Sequence, residues 1–368
     1  MKLHIKSLAG LVLFLGLVIF GVALFCSGSP VVPGKEVITI GTTLPLTGNL
    51  AFLGESYRDA INLALKDLPK SDKYTYKVVF EDDGFDPKKA VSAAQKLIDS
   101  DKADILFSFG SPAGNAVSPI AEARRIPHLN GIASDTNVAN GVYNFVHWTP
   151  PYEEARVLTQ ELQKRGITRV GILETNQPGT IAVGNAVRSS LAKTPIQVVS
   201  EERFAPGTKD FRSIISKVKN SGAEIYLLEA TSPELEIMAK QMRELGVKEP
   251  FTSIEGFEFT DEPALFEGMW YVNAADPTAD FVGRFSKEYG REAKIGAPNG
   301  YDALNLIVYA VEHAGTKEKP NALDIVAGLN RIKDFSGAVG TLNVDSEGLM
   351  LSQATVRVMR DGKPITIR

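Results

Sequence analysis

The residues most suited to binding chemistry lie in an uncharged run of small side chains within SFGSPAGNAVSPIAEARRIPHLN, residues 108–130. Here Ser111 precedes Pro112, and this pair is typical of an N-cap followed by proline at the first helical position. A helix that begins there would present free backbone N–H groups and the positive end of its dipole, which attract a carboxylate. The alternative interpretation is that Ser111 only caps its helix.

The other motifs favour neither catalysis nor a metal site. EDDGFDP, residues 81–87, holds four carboxylates, but it lacks the alternating spacing and the distal glutamate of a calcium loop. We interpret it as a strand end and a helix cap. The four histidines are scattered singly, and the chain has no G-x-S-x-G motif and no G-x-G-x-x-G after the first strand. The sequence therefore predicts neither an enzyme nor a cofactor.

The elements that must position a site alternate between short apolar runs and amphipathic segments from Val37 onward. VITIGTTL precedes GESYRDAINLALKDL, and YKVVFED precedes DPKKAVSAAQKLIDS, where Asp86 is a natural N-cap. The alternation restarts after Pro151. This pattern is typical of βαβ crossovers, and it predicts an α/β fold with two parallel sheets. Ligands of such sheets bind beyond the carboxyl ends of the strands.

Residues 1–35 are predicted to be a signal peptide or anchor with a linker. Lys2 and Lys6 precede an apolar run, Leu8–Phe25, and Cys26 follows directly. This arrangement resembles a bacterial lipoprotein signal with lipidation at Cys26. Cleavage near Gly28 and an uncleaved anchor remain as alternatives. Each places the body on the periplasmic or extracellular face of a bacterial membrane.

The composition of the body excludes several classes of protein. Cys26 is the only cysteine, so the body has no disulfide and must be stabilised by its core. The 40 basic residues less the three lysines of residues 1–35 leave 37, against 44 acidic residues, a net charge of −7. Such a charge does not attract nucleic acid. The length of about 330 residues favours two domains.

Five motifs, in this order, carry a resemblance that covers the body from about Glu36 to its end. The body resembles the type I periplasmic binding proteins of branched-chain amino acid ABC transporters. The motifs are ITIGTTLPLTGNLAFLGESYRDAINLAL, FEDDGFDPKKAVSAAQKLI, FSFGSPAGNAVSPIAEARRIPHLN, SIEGF and APNGYDALNLIVYA.

The resemblance implies two Rossmann-like lobes with parallel sheets, joined by a hinge of three crossings. The crossings are expected near His147–Pro150, Asn273–Asp276 and Leu342–Asp345. The first lobe would then contain residues 36–148 plus 277–343. The second lobe would contain residues 149–276 plus 344–368.

The resemblance also implies a clamp for a zwitterion. Ser111 matches the serine that takes the α-carboxylate of the ligand, and Ser134 matches a hydroxyl residue that contacts both carboxylate and ammonium. Ala133 would lend its carbonyl group nearby. Glu255 matches the acidic residue of the other lobe that pairs with the α-ammonium.

Around the ligand side chain, the sequence departs from the aromatic residues of the branched-chain binders. The positions that would surround this side chain are Leu53, Pro178 and Thr231 or Ser232. Phe52 and Phe257 are candidates for an apolar wall. The disulfide of some members is absent, because Phe85 and Gly110 stand where its cysteines would be.

The resemblance implies an extracytoplasmic receptor that closes over an amino acid or a similar small amphiphilic solute and delivers it to a membrane ABC permease. Three alternatives remain. The same fold could bind an aromatic carboxylate, an amide or urea-like solute, or a peptide fragment. It could act as a ligand sensor instead of a transport receptor. A nucleotide-dependent enzyme is the third, and the missing phosphate loop opposes it.

Overall fold

The computed structural model of the protein describes residues 34–316 and 318–367. The predicted signal peptide and the predicted lipidation site at Cys26 lie outside the described residues. Within the described residues are ten α-helices and fifteen strands. None of these helices is long and apolar enough to cross a membrane.

Five parallel strands form the first sheet, in the order β2-β1-β3-β4-β5. They are β1 (Glu36–Leu44), β2 (Tyr74–Asp82), β3 (Ile105–Phe109), β4 (His128–Gly131) and β5 (Asn144–His147). The helices that connect them are α1 (Ala51–Asp67), α2 (Pro87–Asp99) and α3 (Gly110–Arg124). Strands β3 and β4 are buried at every position, as expected for parallel strands that are covered on both faces.

Four parallel strands form the second sheet, in the order β7-β6-β8-β9. They are β6 (Arg169–Thr175), β7 (Gln197–Phe204), β8 (Ile225–Glu229) and β9 (Phe251–Thr252). Four helices accompany them: α4 (Pro151–Lys164), α5 (Pro178–Leu191), α6 (Arg212–Val218) and α7 (Glu234–Glu244). The two sheets confirm the predicted restart of the βαβ pattern after Pro151.

The rest of the chain adds to both lobes. The remaining helices are α8 (Ala279–Tyr289), α9 (Ala297–Glu312) and α10 (Ala322–Asn330), and the remaining strands are β10 (Trp270–Ala274), β11 (Phe335–Gly337), β12 (Gly340–Val344), β13 (Met350–Leu351), β14 (Ala354–Arg360) and β15 (Lys363–Thr366). Helices α9 and α10 bury their apolar faces in the core of the first sheet. Strands β10, β14 and β15 form an antiparallel sheet, and a parallel bridge between Ile254 and Val272 joins it to the second lobe.

The third passage between the lobes lies later than the predicted Leu342–Asp345. Strand β12 pairs with β13 in a hairpin whose turn is closed by the Asp345 carboxylate, and Leu349 bridges Val146 of β5. Residues 344–351 therefore pair with the first lobe rather than with the second. The chain passes at residues 352–353, where Ser352 Oγ lies 2.6 Å from Thr149 Oγ1.

One predicted helix cap is confirmed and another is wrong. Helix α2 begins at Pro87, and the Asp86 side chain accepts hydrogen bonds from two backbone N–H groups of its first turn. Helix α3 begins at Gly110, one residue before Ser111, and its N-cap is Phe109 without a side-chain bond. Gly110 has φ of +76°, so the chain turns from β3 directly into the helix, and Ser111 is already inside the first turn.

Replacing Gly110 by alanine is expected to lower the free energy of unfolding by about 1–3 kcal/mol. Alanine disfavours φ of +76°, and its Cβ would lie 2.8 Å from the Phe85 ring. Gly283 provides the control, because it lies in α8 with no heavy atom within 4 Å of an added Cβ. Gly283→Ala is expected to raise stability by about 0.5–1 kcal/mol. Urea denaturation measures both, and an equal effect of the two changes would contradict this account.

Candidate ligand-binding cleft

A cavity of about 50 Å³ lies between the two lobes, beyond the carboxyl ends of β3, β6 and β8. The N-termini of α3 and α5 approach each other there, since a Cβ on Gly179 would lie 2.9 Å from Ser111 Oγ. Helix N-termini attract anions through free N–H groups and the helix dipole. One side of the cavity is therefore suited to a carboxylate.

The wall from the first lobe contains Ser111 and Ser134, which are 4% and 5% exposed. Ser111 Oγ accepts a hydrogen bond of 3.1 Å from the Asp135 backbone N–H, so its hydroxyl hydrogen is available for another acceptor. Ala133 is buried next to Ser134 and is not part of the lining. Two hydroxyl groups thus lie near the N-terminus of α3.

Glu255 lines the cavity from the second lobe, just after β9, and it is 7% exposed. Its Oε1 accepts hydrogen bonds from Trp148 Nε1 at 2.5 Å and from Ser134 Oγ at 3.0 Å. The backbone has φ of +64° at Glu255, a conformation that non-glycine residues rarely adopt and that is frequent at functional sites. The structure therefore brings Ser134 and Glu255, which are 121 residues apart in the chain, into direct contact.

Burial raises the pKa values of three carboxyl groups around Glu255. The pKa of Glu255 itself rises to about 7, because burial outweighs its hydrogen bonds with Trp148, Glu154 and Ser134. The pKa of Glu229, which also lines the cavity, is well above its usual range because of burial and the charge of Glu255. Burial and the charge of Glu255 also raise the pKa of Glu154, in the first turn of α4. This side of the cavity is acidic.

Five other predicted residues lie outside the lining, and one of them is Pro178, the first residue of α5. Leu53 is fully buried in the core of the first lobe, and Phe52 packs against that core. Phe257 stacks on Phe266 in the core of the second lobe, with ring centroids 4.2 Å apart. Ser232 is buried beside the cavity, whereas its neighbour Thr231 lines it.

Sequence reasoning missed several residues that line the cavity. They are Phe85, Ile132, Gln177, Thr180, Glu229 and Phe259. Glu229 carried a signal, because it is an acidic residue at the end of an otherwise apolar strand, IYLLE. The aromatic wall is formed by Phe85 and Phe259, and Phe259 lies two residues beyond the predicted Phe257.

Two α/β lobes that enclose one small cavity define a two-lobed binding protein, and comparisons with known proteins agree. The family model described as periplasmic binding protein matches residues 37–360. Leu/Ile/Val-binding protein homolog 3 of Brucella melitensis is 24% identical over 333 residues, which cover 84% of this chain and 88% of that protein. The chain belongs to the periplasmic binding protein family, whose members bind solutes and are not enzymes.

Solved structures agree on the fold while their ligands differ. The leucine binding protein LivK from Thermotoga maritima has a TM-score of 0.82 at 20% identity, over 90% of this chain and 98% of that one. A solute binding protein of an ABC transporter from Rhodopseudomonas palustris, in complex with benzoate, has a TM-score of 0.79 at 19% identity, over 90% and 96%. The family implies a location outside the cytoplasm.

Proposed function

We propose that the protein is the receptor of an ABC transporter for an α-amino acid, which it releases to a membrane permease. The observation that carries the proposal is that one cavity is lined by groups suited to both charges of a zwitterion. The first lobe contributes the N-terminus of α3 with Ser111 and Ser134, and the second lobe contributes the Glu255 carboxylate, which lies 3.0 Å from Ser134 Oγ. A zwitterion presents the complementary pair of charges.

Each end of an amino acid contributes a defined share of the affinity. A helix N-terminus stabilises an anion by about 0.3–1 kcal/mol, or up to about 2 kcal/mol in a partly buried site. A hydrogen bond from the ammonium to the Glu255 carboxylate contributes about 1.5–3 kcal/mol. Burial of an apolar side chain against Phe85 and Phe259 contributes about 1.5–3 kcal/mol more. Association and ordering oppose these gains, so useful affinity requires that the lobes close.

Closure is proposed to occur by bending at three adjacent passages between the lobes. The first and third are in contact through Thr149 and Ser352, with 2.6 Å between their hydroxyl oxygens. The second and third are in contact through the Ala275 N–H and the Gln353 carbonyl oxygen, 2.8 Å apart. The moving units are residues 36–148 plus 277–351 and residues 149–276 plus 354–368. A closed cleft is the signal that a permease could read.

The second candidate is a receptor for an aromatic carboxylate. Phe85 and Phe259 line the cavity, and the Rhodopseudomonas palustris protein is in complex with benzoate. The carboxylate of such a ligand would bind at the N-terminus of α3, but the ligand would bring no cation to Glu255. Thermal shift of the purified protein against the twenty amino acids and small aromatic acids distinguishes the two. Stabilisation by aromatic acids alone would overturn the amino-acid assignment.

Attachment to the membrane through a lipid on Cys26 completes the proposal. The support is the lipoprotein-like order of basic residues, apolar run and cysteine in residues 1–29. Detergent partitioning of the protein expressed with and without Cys26→Ser tests it. Equal partitioning of both forms into the aqueous phase would contradict lipidation.

Ser134→Ala is expected to weaken the binding of an amino acid roughly 2- to 12-fold, because one hydrogen bond contributes about 0.5–1.5 kcal/mol. Ser134 Oγ donates to the Glu255 carboxylate of the second lobe, so the alanine variant loses both a contact to the ligand and a hydrogen bond that supports Glu255. Isothermal titration calorimetry measures the change. Ser92→Ala, on the exposed face of α2, is the control, and equal affinities of the two variants would exclude Ser134 from the site.

A further inference from the structure

Four buried glutamates surround the second-lobe side of the cleft, and their partners differ in a systematic way. Glu174, at the end of β6, is 0% exposed and accepts a hydrogen bond of 2.8 Å from Arg203 Nε. Arg188 adds a second cation at 3.4 Å. The charge of this carboxylate is thus compensated within the protein, as the cost of burying an ion requires. Glu174 does not line the cavity.

Glu229 and Glu255 line the cavity and lack such partners. Glu229 ends β8, and Glu255 follows the neighbouring strand β9. Within the described residues, neither glutamate forms a salt bridge with lysine or arginine. The described residues that line the cavity include no lysine or arginine at all. The protein compensates the acid that faces away from the cleft and leaves these two without a cation.

The contacts of Glu229 leave one of its oxygens for a ligand. The side chain is 98% buried, since its residue is 2% exposed. Oε1 accepts a hydrogen bond of 2.7 Å from the Ile254 backbone N–H. Among the described residues, no hydrogen bond reaches Oε2. The lining contains the hydroxyl residues Thr180 and Thr231 together with the apolar Ala230 and Ile254.

Glu154 adds a further carboxyl group to the same region. It is 0% exposed, and its carboxyl group lies close enough to the Glu255 carboxyl group for the two to share one proton. It lies close enough to Glu255 for their charges to interact. Burial raises the pKa of Glu154, so a neutral Glu154 needs no cation, and Glu229 Oε2 is the free position for a second cationic group.

We propose that the solute is a cationic amino acid, whose α-ammonium contacts Glu255 and whose second cationic group contacts Glu229. This inference rests on the proposed function, since it assigns the substrate class of the same cleft. A diamino acid supplies one cation to each of the two carboxyl groups, where it displaces the proton that burial favours, and one carboxylate to the N-terminus of α3. The second cation also provides a partner for Glu229 Oε2.

The test compares amino acids that share one carbon skeleton. Isothermal titration calorimetry of the purified protein at pH 7.5 is carried out with L-lysine and with L-norleucine, which is lysine without its side-chain amine. L-ornithine tests a shorter side chain. We expect lysine or ornithine to bind at least tenfold tighter than norleucine. This comparison needs no variant, so it does not depend on how a substitution affects folding.

Glu229→Gln supplies the second arm, because it removes the charge and keeps the shape. We expect it to weaken the diamino acid roughly 10- to 150-fold, the range for a hydrogen bond to a charged group, and norleucine less than threefold. Glu244→Gln, an exposed site on α7, makes the same change in net charge and should alter neither.

The outcomes separate the inference from the function on which it rests. Tighter binding of norleucine or leucine than of either diamino acid would overturn the inference and support the amino-acid receptor. Binding of aromatic acids with no response to any α-amino acid would overturn both. Tight binding of lysine that Glu229→Gln leaves unchanged would overturn the assignment of the second cation to Glu229.

Discussion

Glu255→Gln is expected to weaken the binding of an α-amino acid roughly 10- to 150-fold, equivalent to about 1.5–3 kcal/mol. Glutamine retains an oxygen that can accept from Trp148 and Ser134, as the carboxylate does. It has no charge, so the attraction to the ligand ammonium is lost. Because Glu255 is 7% exposed, solvent cannot replace that attraction.

The control for this variant is a ligand without the ammonium. 4-Methylpentanoate has the carbon skeleton of leucine and keeps only the carboxylate, so its affinity should not fall in the variant. Calorimetry with both ligands on both proteins gives a complete cycle. An unchanged affinity for the amino acid would exclude Glu255 from the site, and an equal loss for both ligands would indicate distortion of the cleft.

The melting temperature of the same variant carries independent information. Burial raises the pKa of Glu255 from 4.5 to about 7, so the folded state loses stability relative to the unfolded state as the pH rises from about 4.5 to about 7. The stabilisation by the protonated form is fully present below about pH 4.5 and is fully lost above about pH 7. The uncharged variant should therefore melt higher than the wild type at pH 8 and lose this advantage at pH 5.

The order of helices and strands was predictable from the sequence, because the residues that each element buries are apolar and recur at the spacing typical of that element. Strands β3 and β8 are apolar at nearly every position. In the helices around them, apolar residues recur every three to four positions. Asp86 and Pro87 marked the start of α2 correctly. The apolar spacing and the helix cap involve only residues close together in the sequence, so the type and the start of each element can be predicted from that segment alone.

The third passage between the lobes could not be predicted in the same way. Residues 340–351 contain two short strands, β12 and β13. The sequence of so short a strand does not indicate the lobe with which it pairs. The lobe is decided by the bridge between Leu349 and Val146, which are more than 200 residues apart. Burial of Met350 in the core of the first lobe makes the same choice. Both contacts are long-range.

The aromatic wall illustrates a second limit. Phe257 and Phe259 lie in or next to a short 3-10 helix, Gly256–Glu258, where neither the strand period nor the helix period applies. Phe257 turns into the second-lobe core and Phe259 lines the cavity. Within such a segment, a shift of two residues changes the side of the chain that faces the cleft.

The difference between Glu174 and Glu229 was equally hidden. Glu174 is the last residue but one of β6, and Glu229 is the last residue of β8. Each follows a run of apolar residues in its strand. Only the partners distinguish them, since Arg203 on β7 reaches Glu174 from a strand that pairs with β6. A single sequence gives the positions of the acids but not the pairs that they form. The charge of the cleft is therefore a property of the fold.

Affinity for an ammonium-bearing solute is expected to rise with pH between about 5.5 and 8. Only the ionised Glu255 attracts the ammonium, and its pKa is about 7 in the protein without a bound cation. At lower pH, binding must release the proton that burial holds there. With a pKa of about 7, this single group makes the dissociation constant roughly 25-fold larger at pH 5.5 than at pH 7.5.

The neighbouring groups act in the same direction. Burial and the charge of Glu255 hold the pKa values of Glu229 and Glu154 above their usual range, so these carboxyls also tend to be protonated before a cation arrives. A cationic solute that contacts Glu229 would displace a second proton and steepen the dependence. The hydrogen bonds from Trp148 and Ser134 oppose protonation of Glu255, and the value of about 7 already includes them.

Calorimetry near pH 6.5 in phosphate and in imidazole measures this coupling, because both compounds buffer there and take up the protons released on binding with different heats of ionisation. We expect net proton release near pH 6.5 and a much weaker pH dependence in Glu255→Gln. The α-ammonium of a free amino acid loses its proton only at a pH above this range, so the ligand itself does not cause the effect. Affinity that is constant or falls between pH 5.5 and 8 would mean that Glu255 does not bind the cation in its ionised form.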